Sequence, residues 1–350
     1  MPKLSVVMSV FNGEAFVADA IEFILSQTYR DFEFIAINDG STDATLSIMQ
    51  RYAAKDSRIR IIDQENTGLT IALRRGIDEA RGEFIARMDV DDVSLPTRFE
   101  KQMALFDRHP ELVAVTTDVE HFLEDGSFFA LAQLRRDTRL LPLLLVFSNA
   151  IGGHGQVVFR RDAYIKSGGY NPDFRYAQDG ELWIRLVDQG PFGIVPETLY
   201  RYRTGHENIT SLFRSEQASF SDRTRQIQFK KITGLDLDDE LARALMLFFW
   251  HGPAEDTSRR ATWLLAWVMV TATDAFFAAN PHLVKQKFNV LFRFARRWVM
   301  RQTELKSLSP VLRLIMIANT LRLGTAALLT LLRHGSAKPS PGPTVPAATD

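Results

Sequence analysis

The sequence predicts an α/β protein with a mostly parallel sheet flanked by helices, followed by a helical C-terminal region. Three observations carry this reading. β-rich runs alternate with amphipathic helical runs through the first 90 or so residues, as in βαβ units. Polar clusters fall just after successive strands, where a parallel sheet gathers its functional groups. Beyond about residue 215 the periodicity becomes purely helical.

Residues 4 to 10 are apolar and β-rich, and Asn12-Gly13 then breaks the chain. Phe16, Val17, Ala20, Ile21, Ile24 and Leu25 recur at helical spacing and form one face. A second strand, Phe32 to Ile37, runs into the turn Asn38-Asp39-Gly40-Ser41-Thr42-Asp43, which holds good N-cap residues for a helix to about Tyr52. The third strand is Ile59 to Ile62, with a helix from Gly68 to Ala80. A fourth strand, Glu83 to Arg87, ends in Met88-Asp89-Val90-Asp91-Asp92.

Further on, a helix from Pro96 leads to His109-Pro110, then a strand at 112 to 119 and a hairpin turn at Glu124-Asp125-Gly126. Leu140 to Phe147 reads as helix, and His154 to Arg161 as a strand entering a short helix stopped by Gly168-Gly169. Gln178 to Gln189 is the next helix, and Phe192 to Tyr202 returns as short strands. Helices follow at 216 to 232, 237 to 250, 259 to 279, 282 to 303 and 308 to 333. The expected division is therefore a catalytic domain at 1–215, a helical region at 216–334 and a disordered Pro-, Ala-, Ser- and Thr-rich tail at 335–350.

The acidic run after the fourth strand has the chemistry of a cation site. Clustered carboxylates repel and raise one another's pKa unless a cation compensates them. In extended backbone Asp89 and Asp91 would project to the same side and share one ion. Hard oxygen ligands suit Mg²⁺ or Mn²⁺, which commonly bridge a few carboxylates to nucleotide phosphates. A solvated acidic loop is the bland alternative.

Composition narrows the remaining classes. The chain has no cysteine, so disulfides and thiol chemistry are excluded and any metal must be held by oxygen or histidine. The zero net charge hides an asymmetry: residues 1 to 280 carry 31 Lys/Arg against 40 Asp/Glu, and residues 281 to 334 carry ten Lys/Arg against Glu304 alone. Met1-Pro2-Lys3 leads at once into a strand with no signal-peptide apolar region, so a cytoplasmic protein is expected.

Six motifs, in order, resemble glycosyltransferase family 2, the inverting nucleotide-diphospho-sugar transferases of GT-A fold. They are Ser9-Val10-Phe11-Asn12-Gly13-Glu14, Asn38-Asp39-Gly40-Ser41-Thr42-Asp43, Asn66-Thr67-Gly68-Leu69, Ala86-Arg87-Met88-Asp89-Val90-Asp91-Asp92, Gly168-Gly169-Tyr170 and Gln178-Asp179-Gly180-Glu181-Leu182-Trp183. The resemblance implies that Val10, Phe11, Asn12 and Asp39 hold the base and ribose, with Glu14, Gly68, Arg74, Met88 and Asp89 also on the donor side. Asp89 and Asp91 match the DxD pair that binds ribose and the metal-bound diphosphate, and His206 lies where relatives carry an Arg-x-His element near it. Asp179 matches the general base, with Glu181 as its rival. For Asp39 an Asx-turn or helix cap competes with base binding, for Asp179 a helix N-terminal carboxylate does, and for His154 and Trp183 a packing role does. Arg74 stands where relatives often have Asn, and Gln178 replaces a common Glu.

The basic rear interleaves Lys285, Lys287, Arg293, Arg296, Arg297 and Arg301 with Phe288, Phe292, Phe294 and Trp298. This pattern favours peripheral binding to an anionic membrane surface over a spanning helix, since Asp274, Arg313 and Arg322 interrupt the long apolar runs. A solvated helical subdomain is the alternative, and nothing in the front half calls for nucleic acid. The expected activity is non-processive transfer of one sugar, most simply from a UDP-sugar, to a hydroxyl of a glycan or lipid-linked acceptor in cell-surface polysaccharide biosynthesis. Phe294 occupies the position where polymerising relatives carry the Gln of Gln-x-x-Arg-Trp. The competing readings are a sugar-1-phosphate nucleotidyltransferase, disfavoured by the single glycine after the first strand, and an inactive nucleotide-binding scaffold.

Overall fold

A computed structural model describes residues 1–134, 137–205, 212–240, 242, 259–284, 287 and 290. The chain divides into two compact units, Met1–Gln228 and Phe229–Asp350.

The first unit is built on a nine-stranded sheet. Its strands are β1 (Leu4–Val10), β2 (Phe32–Asp39), β3 (Ile59–Gln64), β4 (Phe84–Arg87), β5 (Val93–Ser94), β6 (Ala114–Phe122), β7 (Phe128–Ala132), β8 (Val158–Arg160) and β9 (Phe192–Arg203). The order is β3-β2-β1-β4-β8-β6-β9-β5, with β7 paired to β6. The first four strands run parallel. β8 then joins antiparallel to β4 through Phe84↔Arg160, Ile85↔Phe159 and Ala86↔Val158. The chain order reverses between β1 and β4, which opens a crevice at their carboxyl ends.

Side-chain alternation along the strands feeds two cores. In β1, Leu4, Val6, Met8 and Val10 face one cluster and Val7 the other. Helices α1 (Val17–Leu25), α2 (Thr45–Ala53) and α4 (Arg98–Arg108) pack on the first face through Val17, Ile21, Met49, Phe99 and Phe106. On the opposite face lie α3 (Leu69–Asp78), α5 (Leu141–Leu144), α6 (Arg161–Lys166) and α7 (Gln178–Leu186), contributing Leu73, Leu141, Tyr164 and Trp183. At Gly76 a Cβ would stand 2.5 Å from Ile37 Cδ1 and 2.8 Å from Val7 Cγ1, so glycine lets α3 lie directly on β1 and β2.

Several local expectations are corrected. β2 and β3 each run two residues further than expected, so Asn38 and Asp39 end a strand rather than open a turn. β9 is one continuous strand, with register shifts around Asp118 absorbing its twist against β6. The helix expected at 140 to 147 is only the four-residue α5, preceded by a 3₁₀ turn at Thr138–Leu140. The acidic run leaves the sheet at Arg87 and turns, with Asp92 N–H donating to Asp89 O at 3.4 Å. Asp89 and Asp91 are therefore not neighbours along an extended strand.

Helix α8 (Arg214–Thr233) stacks Phe220 near Phe174 at 5.5 Å between ring centroids, and Gln228 Nε2 donates to Pro142 O at 2.6 Å. In the second unit, α9 (Arg259–Ala279) buries Val268, Met269, Ala272, Phe276 and Phe277, and Lys287 pairs with Asp274 at 2.8 Å. Among the described residues no helix is long and apolar enough to cross a membrane. The expected helix at 282 to 303 opens on a 3₁₀ turn, Pro281–Leu283, and most of its remainder, the helix at 308 to 333, the tail, most of 237 to 250, Lys285 and the basic residues beyond Lys287 lie outside the described residues.

Candidate active site

The ends of β1 and β2 are laced together by side chains that also cap α2. Asn12 adopts φ 50° and its Oδ1 accepts Thr42 N–H at 2.8 Å, while its own N–H donates to Ser41 Oγ at 3.0 Å. Glu14 Oε2 accepts Ala44 N–H at 2.9 Å, satisfying an orphan donor at the start of α2. Val10 is buried, whereas Phe11 is exposed, leaving an aromatic surface beside this corner.

Asp39 is buried at the end of β2, where four donors converge on its carboxylate. Oδ1 accepts Thr67 N–H at 2.9 Å, Thr67 Oγ1 at 3.1 Å and Gln64 Nε2 at 2.7 Å; Oδ2 accepts Gly68 N–H at 2.9 Å. Gly68 has φ 84°, a left-handed conformation that glycine tolerates, and it turns the chain into α3. Asp39 thus ties β2 to the entry of α3, in place of an Asx-turn within its own segment. Arg74, exposed on α3, donates to Tyr170 O at 3.1 Å.

Across the crevice, Met88 is fully buried, with its side chain in the first core. Arg87 is also buried, and its guanidinium forms an ion pair with Asp89 Oδ1. Burial pushes Asp89 up, Arg87 opposes that, and the Asp91 charge adds to it. Asp92 is turned away from a shared ion: Tyr200 Oη donates to its Oδ2 at 2.8 Å and Arg203 N–H to its Oδ1 at 2.9 Å. Burial, then Asp91 and Asp89, hold Asp92 well above the usual carboxylate range. Arg203 Nε donates to Asp91 O at 2.8 Å, so β9 fixes the acidic turn at two points.

Asp89, although paired with Arg87, and Asp91 are the turn's two candidate hard oxygen donors for a metal. Among the described residues no cluster of three or more His, Cys, Asp or Glu groups surrounds a common point. A two-carboxylate set fits Mg²⁺ or Mn²⁺, which keep waters and take further oxygens from substrate phosphates. His206, the other candidate ligand, lies outside the described residues.

Asp179 sits in the first turn of α7, entered through Ala177 in a left-handed conformation at φ 52°. Burial pushes its pKa up to about 6, while hydrogen bonds from Gly180 N–H and Asn149 act in the opposite sense and Asp89 adds a small upward push. Asn149 Nδ2 donates to Asp179 Oδ2 at 2.9 Å. Glu181 is held elsewhere. It forms a bidentate pair with Arg185 one turn along the helix, Nε–Oε1 at 2.8 Å and Nη2–Oε2 at 2.5 Å. Arg185 also donates to Ser167 O, linking α7 to the Gly168-Gly169 turn.

His154 is buried, with Nδ1 2.9 Å from Tyr170 Oη, and burial holds its pKa well below the usual histidine value. Trp183 is fully buried, with Nε1 donating to Gly152 O at 3.2 Å. Both are packing groups.

Sequence reading passed over Arg87, Arg98, Asn149 and Tyr200. Arg98 is fully buried on α4, donates to Arg87 O at 3.1 Å and to Gly155 O, and is held down to about 10 by burial. A signal existed for Arg87, a charged residue closing an apolar strand that is buried on both faces. None existed for Tyr200, which meets the acidic turn from more than a hundred residues away.

A parallel half-sheet with polar groups at its carboxyl ends, continued by antiparallel strands and a buried carboxylate on a helix, defines the GT-A class of glycosyltransferases. Residues 5–168 match the model described as glycosyl transferase family 2. The chain is 32% identical over 227 residues to the O-antigen biosynthesis glycosyltransferase WbnJ of Escherichia coli, covering 63% of this chain and 88% of that protein. It is 31% identical over 209 residues to the amylovoran biosynthesis glycosyltransferase AmsE of Erwinia amylovora, covering 59% and 77%. The S. aureus TarS 1–349 structure in complex with UDP-GlcNAc shares the fold at TM-score 0.56 and 14% identity, over 95% of this chain and 92% of that one. The chain belongs to glycosyl transferase family 2 and is a glycosyltransferase.

Proposed function

We propose that the protein transfers a single sugar, with inversion, from a nucleotide-diphosphate donor to a hydroxyl of a glycan or lipid-linked acceptor during cell-surface polysaccharide biosynthesis. The observation that carries the chemistry is Asp179, a desolvated carboxylate at about 6. A base of that strength is ionised at neutral pH yet retains proton affinity. Its rival Glu181 is committed to Arg185.

In this reading Asp179 takes the proton from the acceptor hydroxyl as the acceptor oxygen bonds to the anomeric carbon. The bond from that carbon to the diphosphate oxygen breaks on the opposite face, which inverts the centre. Asp89 and Asp91 would hold Mn²⁺ or Mg²⁺, whose chemistry there is Lewis-acid neutralisation of the departing diphosphate. Val10, Phe11 and Asn12 would hold the base, with the exposed Phe11 ring available for stacking. Glu14, Asp39 and Gly68 would shape that corner through the bonds described above, Arg74 would border the diphosphate, and the buried Met88 would support the acidic turn from the core. His206 is assigned to the diphosphate side on its motif alone.

A UDP-sugar is the proposed donor, supported by the TarS complex. WbnJ and AmsE support the polysaccharide setting by their names. The basic rear supports peripheral attachment to an anionic membrane surface on the cytoplasmic face, with the catalytic part ending near residue 215. The deciding experiment is a panel of UDP-, GDP- and dTDP-sugars incubated with Mn²⁺, scored for turnover by wild type and Asp179→Asn. Loss of turnover with retained donor binding in the variant is expected. Wild-type turnover by folded Asp179→Asn would remove the base assignment.

A further inference from the structure

Between α5 and β8 the chain makes a tight loop that is bonded within itself and anchored to α7 at Asn149 and Gly152. Gly152 N–H donates to Asn149 O at 3.3 Å, and Gly152 takes φ 85°. Trp183 Nε1 holds Gly152 O at 3.2 Å, and Gln156 Nε2 holds Ile151 O at 3.0 Å. Trp183 is one helical turn beyond Asp179, so the loop and the base are fixed to one support.

Within that support the Asn149 amide is used at one end only. Its Nδ2 donates to Asp179 Oδ2 at 2.9 Å, while its Oδ1 is buried and has no hydrogen-bond partner among the described residues. Buried amide oxygens are almost always satisfied, by protein, water or ligand. Reversing the amide would not relieve the problem, because its oxygen would then oppose a carboxylate oxygen. The unmet acceptor thus sits one amide width from the bond that holds the base.

We propose that Asn149 is a positioning residue: its amide is oriented so that the N–H holds one oxygen of Asp179 and the other oxygen meets the reacting hydroxyl. This rests on Asp179 being the base. Among the described residues, Asp89 acts on Asp179 from another element; on its own helix stands the Glu181–Arg185 pair, and Tyr170 interacts with Asp179 from the turn before α7.

The test uses the full chain as wild type, Asn149→Ala, Asn149→Asp and Asp179→Asn. Carboxyl-¹³C aspartate NMR follows the titration of Asp179, identified by its loss in Asp179→Asn. Removing a donor to the ionised form should move the Asp179 midpoint upward by about half a pH unit or more in Asn149→Ala. Asn149→Asp keeps the volume and should give a coupled two-step titration with its upper step raised. An unmoved Asp179 titration in these variants overturns the proposal without involving substrate.

The kinetic arm uses the donor turned over by wild type and p-nitrophenyl hexosides as acceptors. Asn149→Ala should lower acceptor kcat/KM tenfold or more, leave donor KM within twofold, and shift the acid limb in step with the NMR midpoint; an acid limb that stays put overturns the positioning role. Wild-type turnover in Asp179→Asn indicates failure of the base reading, whereas an inactive Asp179→Asn with unchanged Asn149 variants indicates failure of this proposal alone.

Discussion

Gly155 stands against Tyr200 so closely that a methyl group on its Cα would overlap the tyrosine hydroxyl and lie 2.9 Å from Asp89 Oδ2. That hydroxyl is the one that donates to Asp92 and receives Asp89 N–H at 3.4 Å. A residue with no side chain therefore keeps the acidic turn in register.

Gly155→Ala should destabilise the fold by about 1–3 kcal/mol through overpacking. It should also weaken UDP binding in Mn²⁺, because Tyr200 must move. Adding Tyr200→Phe removes the overlapping oxygen but leaves Cζ at 2.6 Å, so the double variant should lose less than the sum of the two single losses. Calorimetry on the three variants checks this, and additive losses would show that the two residues do not meet.

Asp179 gives a pH prediction with a defined sign. Its folded pKa, about 6, lies above the ordinary 3.8, so the folded state binds the proton more tightly than the unfolded chain. Its contribution to stability is full below the ordinary value and is lost as pH rises through about 6. Asp179→Asn should accordingly melt higher than wild type at pH 8, with the difference vanishing below about pH 4. Turnover runs the opposite way, rising as Asp179 ionises. Melting curves and kcat/KM across pH 4 to 8 read both.

Glu181→Ala tests the division of labour on α7. Loss of the bidentate partner leaves Arg185 uncompensated and should cost about 2 kcal/mol in denaturant unfolding. Transfer per folded molecule should stay within a few-fold of wild type. Inactivation of a stably folded Glu181→Ala would move the base from Asp179 to Glu181.

Asp39→Ala should expose how much of the donor corner rests on one carboxylate. Thr67 N–H, Gly68 N–H and Gln64 Nε2 lose their acceptor together, a loss of about 1–3 kcal/mol. The 64–68 segment should then exchange its amide hydrogens faster, and UDP affinity should fall. Unchanged protection there would refute the tie.

The metal reading predicts that EDTA weakens UDP binding and that Mn²⁺ or Mg²⁺ restores it. Asp91→Asn should abolish that restoration, while Asp92→Asn, whose parent carboxylate faces Tyr200 and Arg203, should lose stability more than metal response. Titration calorimetry with and without cation separates the two.

The parallel half of the fold was legible because its signals are local. Apolar runs of strand length, Asn12-Gly13, and the helical spacing of Val17, Ile21 and Ile24 each act within a few residues. The ordered motifs placed Asp39, Asp89 and Asp179 near strand or helix ends for the same reason. What the sequence could not disclose depends on distant partners. Nothing beside Asp92 shows that Tyr200 will claim it, and nothing beside Asp179 shows that Asn149 will reach it. The extended geometry assumed for Asp89 and Asp91 failed because the strand stops at Arg87 and the chain turns at once.

The parallel strands that carry the donor-side groups and the strands beyond them join, among the described residues, along the three-residue ladder between β4 and β8. Arg98 braces that seam, bonding Arg87 O on one side and Gly155 O on the other. Because one buried guanidinium bonds both sides of that ladder, a substitution at Arg98 would loosen the strand end before the acidic turn and the segment before β8 together.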